Sequence, residues 1–441
     1  MSEVSPLRIA IAGLGTVGAG VIRLLEENRS LVEARAGRPI EVTAVSARDR
    51  ARDRGVDLAP YAWCDDMTAM AARPDVDVVL ELVGGSDGPA LALARKTLGL
   101  GKGFVTANKA MIAHHGMELA QLAESNGAGL RFEAAVAGGI PVLKGLREGA
   151  AANAIERVYG ILNGTCNYIL TTMEASGADF GETLAEAQRL GFAEADPAFD
   201  IDGVDAAHKL AILAALAFGA EIDFASVEVE GIRRVRAVDI AQADALGYVI
   251  RLIGVADVEA AGSTSRLLQR VRPCLVAKDH PLAPINGPTN AVVAEGNFVG
   301  RLLFQGAGAG DGPTASAVVA DLIELARGDS GAPFSVPAHD LVPMPKADSG
   351  ARESRSYIRF MVADRPGVLA EIAAAMRDAG VSIQSLIQEG VNGSGPDGDD
   401  GVLVAMVTHM GPVRNVREAI TMLEGSESLT AEPLVMPILR S

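Results

Sequence analysis

The sequence predicts an α/β chain in three parts: strands and helices alternating around one parallel sheet, then a mixed α+β region, then a small βαββαβ sandwich. Three observations predict it. A glycine-rich turn follows the first apolar run, LRIAIA from Leu7, and opens a helical stretch lasting to about Glu27. Further apolar runs at Ile40 to Val45, Val76 to Val83 and Phe104 to Ala107 recur between segments of helical character, the rhythm of a parallel sheet covered on both faces. Past a Pro-, Ser- and Gly-rich stretch near residue 350 the order changes to strand, helix, two strands, helix, strand.

A chain of 441 residues is too long for one compact core. It is 49% apolar but only 4% aromatic, so Ala, Val, Leu and Ile must build the interior. The formal charge of -17, from 56 acidic against 39 basic residues, and the lack of any long Lys or Arg run argue against a nucleic-acid partner. MSEVSPLRIAIAG has no basic start before its apolar stretch, and no apolar run approaches the about 20 residues of a membrane span, so neither a signal peptide nor a membrane partner is expected. Cys64, Cys166 and Cys274 are widely spaced, which speaks against disulfides and zinc and for a reducing cytoplasm.

Gly13, Gly15 and Gly18 form GxGxxG between a strand and a helix. In that setting the first glycine allows the tight turn, the second lets the backbone approach a pyrophosphate, and the third allows close helix packing. Leu14, Thr16 and Val17 complete the turn and the helix start that would face the phosphates. Residues 1–150 therefore read as a Rossmann-type dinucleotide-binding domain. At the tip of the second strand stand Ser46, Ala47, Arg48, Asp49 and Arg50. No acid occupies the tip, and Arg48 is placed to pair with a 2′-phosphate, so the reading leans to NADP over NAD. Arg48 and Arg50 can also be read as solvated loop charges.

Residues 151–310 carry β-like runs at RVYGIL, VEVEGI, LLQRVRPCLVA and NAVVAE, with a long apolar helix near 203 to 220. PTASAVVADLIELAR, from Pro313, begins like a helix, and 311–340 is expected to return to the first domain. DLVPMPKADSGARESRS has the composition of an exposed connector. Residues 351–441 then supply SYIRFMV, a helix from Pro366 to Ala379, VSIQSLIQE, the loop GVNGSGPDGDDG, VLVAMVTH, a helix near 413 to 424 and a last strand, a ferredoxin-like order.

The most informative stretch begins at Leu190: LGFAEADPAFDIDGVDAAHKLAILAALAFGA. Glu194, Asp196, Asp200, Asp202 and Asp205 lead into a helix that is apolar on nearly every side, and such a helix is buried. Asp205 and Lys209 stand four apart on one face, where an unpaired buried charge would be costly. The plain alternative is a surface pair of about 0.3 to 0.5 kcal/mol with an acid capping the helix. A second lysine, Lys109, closes FVTANK at the edge of the parallel sheet where open α/β folds bind ligands.

Seven blocks now coincide with one family. GLGTVG, LELVGG, TANKAMIA, FEAAVAGGIPV, ILNGTCNYIL, GFAEADPAFDIDGVDAAHKLAIL and GAGAGDGPTASAVVADL resemble the homoserine dehydrogenases in content and order, over about residues 8 to 325. The tail from VADRPGVLAEIA resembles an ACT domain. The resemblance implies reversible NAD(P)-dependent interconversion of L-homoserine and L-aspartate 4-semialdehyde in threonine, methionine and isoleucine biosynthesis. It implies Lys209 as general acid/base and Lys109 as a second lysine at the reacting oxygen and the nicotinamide. A lysine at its usual pKa of about 10.4 is a poor base at neutral pH, and burial or a neighbouring cation is what lowers it.

By the same resemblance Glu194 and Asp205 bind substrate through its ammonium group, Gly191 offers a backbone contact, and Asp200 joins them in a role left open. FEAAVAGGIPV is similar to the family's monovalent cation site, Glu133 giving oxygen and Val136, Gly138 and Ile140 giving carbonyls to Na+ or K+. Gly308 matches a glycine near the cofactor. The central region becomes a catalytic and oligomerisation domain in a homodimer or homotetramer. The tail, with Pro366 and Gly367 at a strand-to-helix turn, implies allosteric inhibition by L-threonine, and no kinase-like extension precedes residue 7. Two other readings stay open: a dehydrogenase of another small aldehyde or hydroxy compound, and a nucleotide-sensing regulator without turnover. A buried Lys209 weighs against the latter, since a sensor needs no base.

Overall fold

The computed structural model describes residues 5–261, 264–390 and 401–440. Its first unit is built on strands β1 (Leu7–Ala12), β2 (Ile40–Ser46), β3 (Ala62–Trp63), β4 (Val78–Glu81), β5 (Gly103–Thr106) and β6 (Leu130–Arg131). They lie in the order β3-β2-β1-β4-β5-β6, all parallel. The order reverses between β1 and β4, and that switch point opens a crevice at the carboxyl ends of the strands. Alternation sets the two faces. Ile9 and Ile11 point to one core with Val45, Leu80 and Val318, whereas Ala10 and Ala12 point to the other with Val79 and Leu93.

The helix Asp311–Ala326 does return to this unit. It crosses the first helix, Thr16–Glu27, so closely that a Cβ on Gly20 would sit 3.2 Å from the Asp311 carbonyl oxygen. Arg23 closes the same contact on Asp311 at 2.9 Å.

The second unit carries β7 (Ile155–Ile161), β8 (Glu228–Val229), β9 (Tyr248–Ala261), β10 (Thr264–Ala277), β11 (Thr289–Gly296) and β12 (Gly300–Ala307), in the order β12-β11-β7-β9-β10-β8. Pairing is antiparallel except at β10 and β8. The expected run VEVEGI shrinks to the two-residue edge β8, while β9, which the apolar pattern did not reveal, pairs residue for residue with β10. Arg251 and Gly254 interrupt its apolar run, and the structure accounts for both. Arg251 is buried on Glu174 at 2.7 Å, and a Cβ at Gly254 would lie 2.8 Å from Leu162. The helix Val204–Phe218 is buried at every residue from Asp205 to Leu216, as its lack of a polar face predicts.

The tail adds β13 (Glu353–Ser354), β14 (Ser356–Val362), β15 (Ile383–Gly390), β16 (Val402–Thr408), β17 (Gly411–Pro412) and β18 (Leu429–Pro437). The main sheet runs β15-β16-β14-β18, antiparallel, with the helices Val368–Asp378 and Val413–Met422 completing βαββαβ. Most of the loop GVNGSGPDGDDG, at 391–400, lies outside the described residues. Ile358, Phe360 and Val404 face the helices, while Tyr357, Ala405, Val407 and Leu434 join the core of the second unit. At that junction Asp239, fully buried, takes Arg359 at 2.5 Å and the Tyr357 hydroxyl at 3.1 Å.

The connector is less free than its composition suggests. Val342 exchanges backbone hydrogen bonds with Gly219 and Glu221, and Leu267 does so with Pro345 and Ala347. Among the described residues no helix is long and apolar enough to cross a membrane.

Candidate active site

The three glycines of the turn differ in what surrounds them. Gly13 has φ +100°, and a Cβ there would lie 2.6 Å from the Leu82 carbonyl oxygen. On Gly18 it would lie 2.1 Å from the Gly13 carbonyl oxygen. At Gly15 nothing stands within 4 Å. Gly15 is the N-cap of Thr16–Glu27 and brings no capping side chain, so the first helical N–H groups face open space. That is a cradle for a diphosphate.

A cavity of about 270 Å³ lies against Leu14, Gly15 and Thr16 and is also lined by Arg52 and Arg54. Arg54 donates to the Leu14 carbonyl at 3.0 Å and, with Arg50, stacks near Trp63. Arg48 is exposed at the exit of β2 and is not in the cavity wall. The arginines that the structure brings to the cavity are thus Arg52 and Arg54 rather than Arg48, because the loop beyond β2 folds back on itself.

Contacts lead from the turn to the lysines. Leu82, against Gly13, follows Glu81 at the end of β4, whose buried carboxylate accepts the N–H groups of Val83 and Gly84 at 2.8 and 2.9 Å and the Thr106 hydroxyl at 2.7 Å. Asn108 donates to the Gly85 carbonyl at 2.7 Å and caps the helix Lys109–Ser125 through Met111 N–H. Lys109 is the first residue of that helix, so the switch-point loops aim it into the crevice.

Asp205 stands between the two lysines. Lys109 Nζ is 3.1 Å from its Oδ1, and Lys209 Nζ is 2.7 Å from its Oδ2. Lys209 also donates to the Leu162 carbonyl at 2.8 Å and is buried, whereas Lys109 keeps 32% of its side chain exposed. Burial alone would push the Asp205 carboxyl up, but the ammonium groups of Lys209 and Lys109 and the hydrogen bond from Asn163 hold it well below the usual carboxylate range. Asn163 Nδ2 reaches both Asp205 Oδ2 and Asp200 Oδ1, each at 2.8 Å. Burial pushes the Asp200 carboxyl up, opposed by Asn163, and among the described residues its Oδ2 has only Thr165 at 3.4 Å.

Gly191 and Glu194 lie on the exposed rim, Gly191 at φ +80° just past the helix Phe180–Arg189. No hydrogen bond or ion pair among the described residues joins the Glu194 carboxylate to the lysine cluster; its carbonyl accepts Gln188 at 3.0 Å. Of the five carboxylates that the sequence grouped, the buried Asp205 and the half-buried Asp200 come together and Glu194 lies apart. Asp196 is exposed, and Asp202 pairs with Arg233 instead.

Two further residues had no sequence signal of their own. Asn290, buried on β11, donates from Nδ2 to the same Leu162 carbonyl at 3.0 Å. That oxygen only accepts, so the orientation of the amide is fixed, and Asn290 Oδ1 is buried with no partner among the described residues. Gly308 borders it: a Cβ there would meet the Asn290 amide carbon at 2.2 Å. His208, beside Lys209, stacks on Phe224 at 4.3 Å with its Nε2 3.3 Å from His114 Nε2. Burial, then the neighbouring His114 and Lys109, push its pKa down to about 4, so the imidazole is neutral at neutral pH.

Glu133 is buried at the start of the loop 133–140, its carboxylate accepting the N–H groups of Leu143 and Lys144 at 3.0 and 2.8 Å. Burial and the Asp321 charge push it up to about 8 against those bonds. The loop bends through Ala137 and Gly138, at φ +57° and +53°. A Cβ at Gly138 would come within 2.4 Å of the Gly308 carbonyl oxygen, so this loop and the Gly308 turn are pressed together. The Ile140 carbonyl accepts Val142 N–H at 2.8 Å.

Comparison with known proteins agrees with this geometry. Residues 13–133 match the family model "Homoserine dehydrogenase, NAD binding domain", residues 141–323 the model "Homoserine dehydrogenase", and residues 356–420 the ACT domain. The homoserine dehydrogenase of Synechocystis is 41% identical over 98% of this chain and 99% of its own, and that of Pseudomonas aeruginosa 42% identical over 96% and 97%. A crystal structure of a homoserine dehydrogenase from Thiobacillus denitrificans superposes with a TM-score of 0.91 at 38% identity, covering 99% of this chain and 98% of that one. A hyperthermophilic archaeal homoserine dehydrogenase in complex with NADPH has a TM-score of 0.61 at 26% identity, over 73% of this chain and 97% of that one.

Proposed function

The chain belongs to the homoserine dehydrogenase family of NAD(P)-dependent oxidoreductases, and from that premise we propose how its residues divide the reaction between L-homoserine and L-aspartate 4-semialdehyde. Lys209 is the general acid/base. The observation that carries this is the bridge Lys109–Asp205–Lys209, which anchors one ammonium group in the buried floor and leaves the other partly open to the crevice. Lys209 gives its proton to the aldehyde oxygen as the alcohol forms and takes it back in the reverse direction. Lys109 steadies the charge that develops on that oxygen. When bound, the nicotinamide supplies or removes the hydride.

The substrate ammonium group needs a carboxylate. Both Asp205 oxygens are engaged by lysines and Asn163, whereas Asp200 keeps one oxygen almost unused, so we assign the ammonium group to Asp200, with Asp205 holding the lysines and Glu194 and Gly191 closing the rim. For the coenzyme we assign Gly13, Leu14, Gly15, Thr16, Val17, Gly18 and Gly308 to its contacts. Arg52 and Arg54 in the wall of that crevice, with Arg48 exposed on the same loop beyond β2, favour NADP. Glu133 with the carbonyls of Val136, Gly138 and Ile140 would take Na+ or K+, since a cation there offsets the burial of that carboxylate.

We assign residues 1–150 with 311–340 to nucleotide binding, 151–310 to catalysis and 351–441 to regulation, with L-threonine as effector and a place in threonine, methionine and isoleucine synthesis. A homodimer or homotetramer is supported by Phe298, 89% exposed, and Leu303, 44% exposed, beside and on the edge strand β12. Lys209→Ala should lower kcat for homoserine oxidation by roughly 10²- to 10⁴-fold while binding of the coenzyme stays within a few fold. Retained turnover would overturn the assignment.

A further inference from the structure

A cavity of about 250 Å³ lies between the second sheet and the tail, away from the lysines and the glycine turn. Its walls come from β7, β9, β10 and β11 on one side and from residues 352–354 and 437–440 on the other. Its deeper charges are largely matched. Asp257 takes Arg157 at 3.1 Å and Arg352 at 2.5 Å, and Glu295 takes the Tyr159 hydroxyl at 3.1 Å and Arg301 at 3.0 Å.

Glu156, Glu353 and Arg440 make no ion pair among the described residues but are exposed, whereas Arg270 is unpaired in the interior of the wall. It lies on β10 beside Cys274 in the cavity wall, its guanidinium makes no hydrogen bond or ion pair among the described residues, and its NH1 is buried without a partner. Burial, with Arg272 and Arg352 nearby and only Asp257 and the Cys274 thiol opposing, pushes its guanidinium below its ordinary pKa. A buried donor on a cation calls for an anion. At the rim Glu156 and Glu353 are exposed and unpaired among the described residues. They would repel a ligand that is only anionic and attract one that also carries an ammonium group. Drug-sized pockets run to about 300–1,000 Å³, so this one suits something smaller.

We propose that this cavity binds a small amino acid as its zwitterion, the carboxylate on Arg270 and the ammonium group toward Glu156 and Glu353. Such a ligand touches the catalytic sheet and the tail together, so its binding energy depends on how the two seat against each other. The site rests on the reading of the tail as regulatory, but not on threonine being the effector.

The test is calorimetric titration of the full chain with each of the twenty proteinogenic L-amino acids, then of Arg270→Gln and Arg270→Lys with whichever binds. At least one should bind, about ten- to hundredfold more weakly to Arg270→Gln, with Arg270→Lys in between because it keeps the charge and the fold. The N-acetyl derivative of that amino acid should bind more weakly than the free one. Equal binding to all three proteins overturns this cavity but leaves an effector site elsewhere on the tail. No binding by any of the twenty overturns both.

Discussion

Acid should destabilise this protein through one imidazole. His208 is enclosed by Phe224, Phe199 and His114, and it feels the charges of Lys109 and Asp205. In the unfolded chain it takes up a proton near pH 6.5; in the folded chain it does so only near about 4. Between those values the unfolded state holds more protons, so stability falls as pH drops through that window and levels off below it. At about 1.36 kcal/mol per pH unit the interval bounds the loss at about 3.4 kcal/mol, of which about 2 kcal/mol falls between pH 7.5 and 5.0. Urea denaturation of wild type and His208→Gln at a series of pH values isolates the effect, since every other group titrates in both proteins. The wild type should lose about 2 kcal/mol relative to the variant on going from pH 7.5 to 5.0. Parallel stability curves for the two proteins would refute the argument that this ring is buried neutral.

Three more outcomes follow from distances. Gly15→Ala should fold normally and weaken coenzyme binding in a fluorescence titration, because its Cβ meets only the space a diphosphate would fill, while Gly18→Ala, at 2.1 Å from a carbonyl oxygen, should lower Tm. Asn290→Asp keeps the shape but sets an acceptor against the Leu162 carbonyl; steady-state kinetics should show kcat reduced about tenfold or more and its pH profile displaced, with KM for the coenzyme nearly unchanged. Asp239→Asn leaves Arg359 buried without its anion, so limited proteolysis should release the tail sooner, at a cost of about 3–5 kcal/mol to the docked state.

Much of the fold was legible because its periods are clean. The β1 to Thr16–Glu27 junction is written in glycines that the turn requires, and the apolar helix Val204–Phe218 has no polar face to put outside. The tail showed its βαββαβ order for the same reason. β9 stayed hidden because its two irregular residues are explained only by partners distant in sequence, Glu174 for Arg251 and Leu162 for Gly254. The connector was legible in part. Its prolines and most of its charges face solvent as composition suggests, yet its backbone groups are met by Gly219, Glu221 and Leu267, partners that exist only after folding.

The same distinction governs the site. Spacing of four on a helix foretold that Asp205 and Lys209 meet, and they do at 2.7 Å. Spacing could not foretell that Lys109, 96 residues earlier, would claim the other oxygen of that carboxylate, nor that Asn163 would fasten Asp200 and Asp205 together. Two ammonium groups in one crevice repel, and at neutral pH the neutral His208 adds no third charge. The anion between them is what permits a buried lysine and a half-open one to stand in the same crevice. That bridge engages both oxygens of Asp205, and that is the ground for our proposal that Asp200 takes the substrate ammonium group. A stretch that looked like a row of acids before one lysine is better understood as one acid that holds two lysines in place and a second with an oxygen to spare.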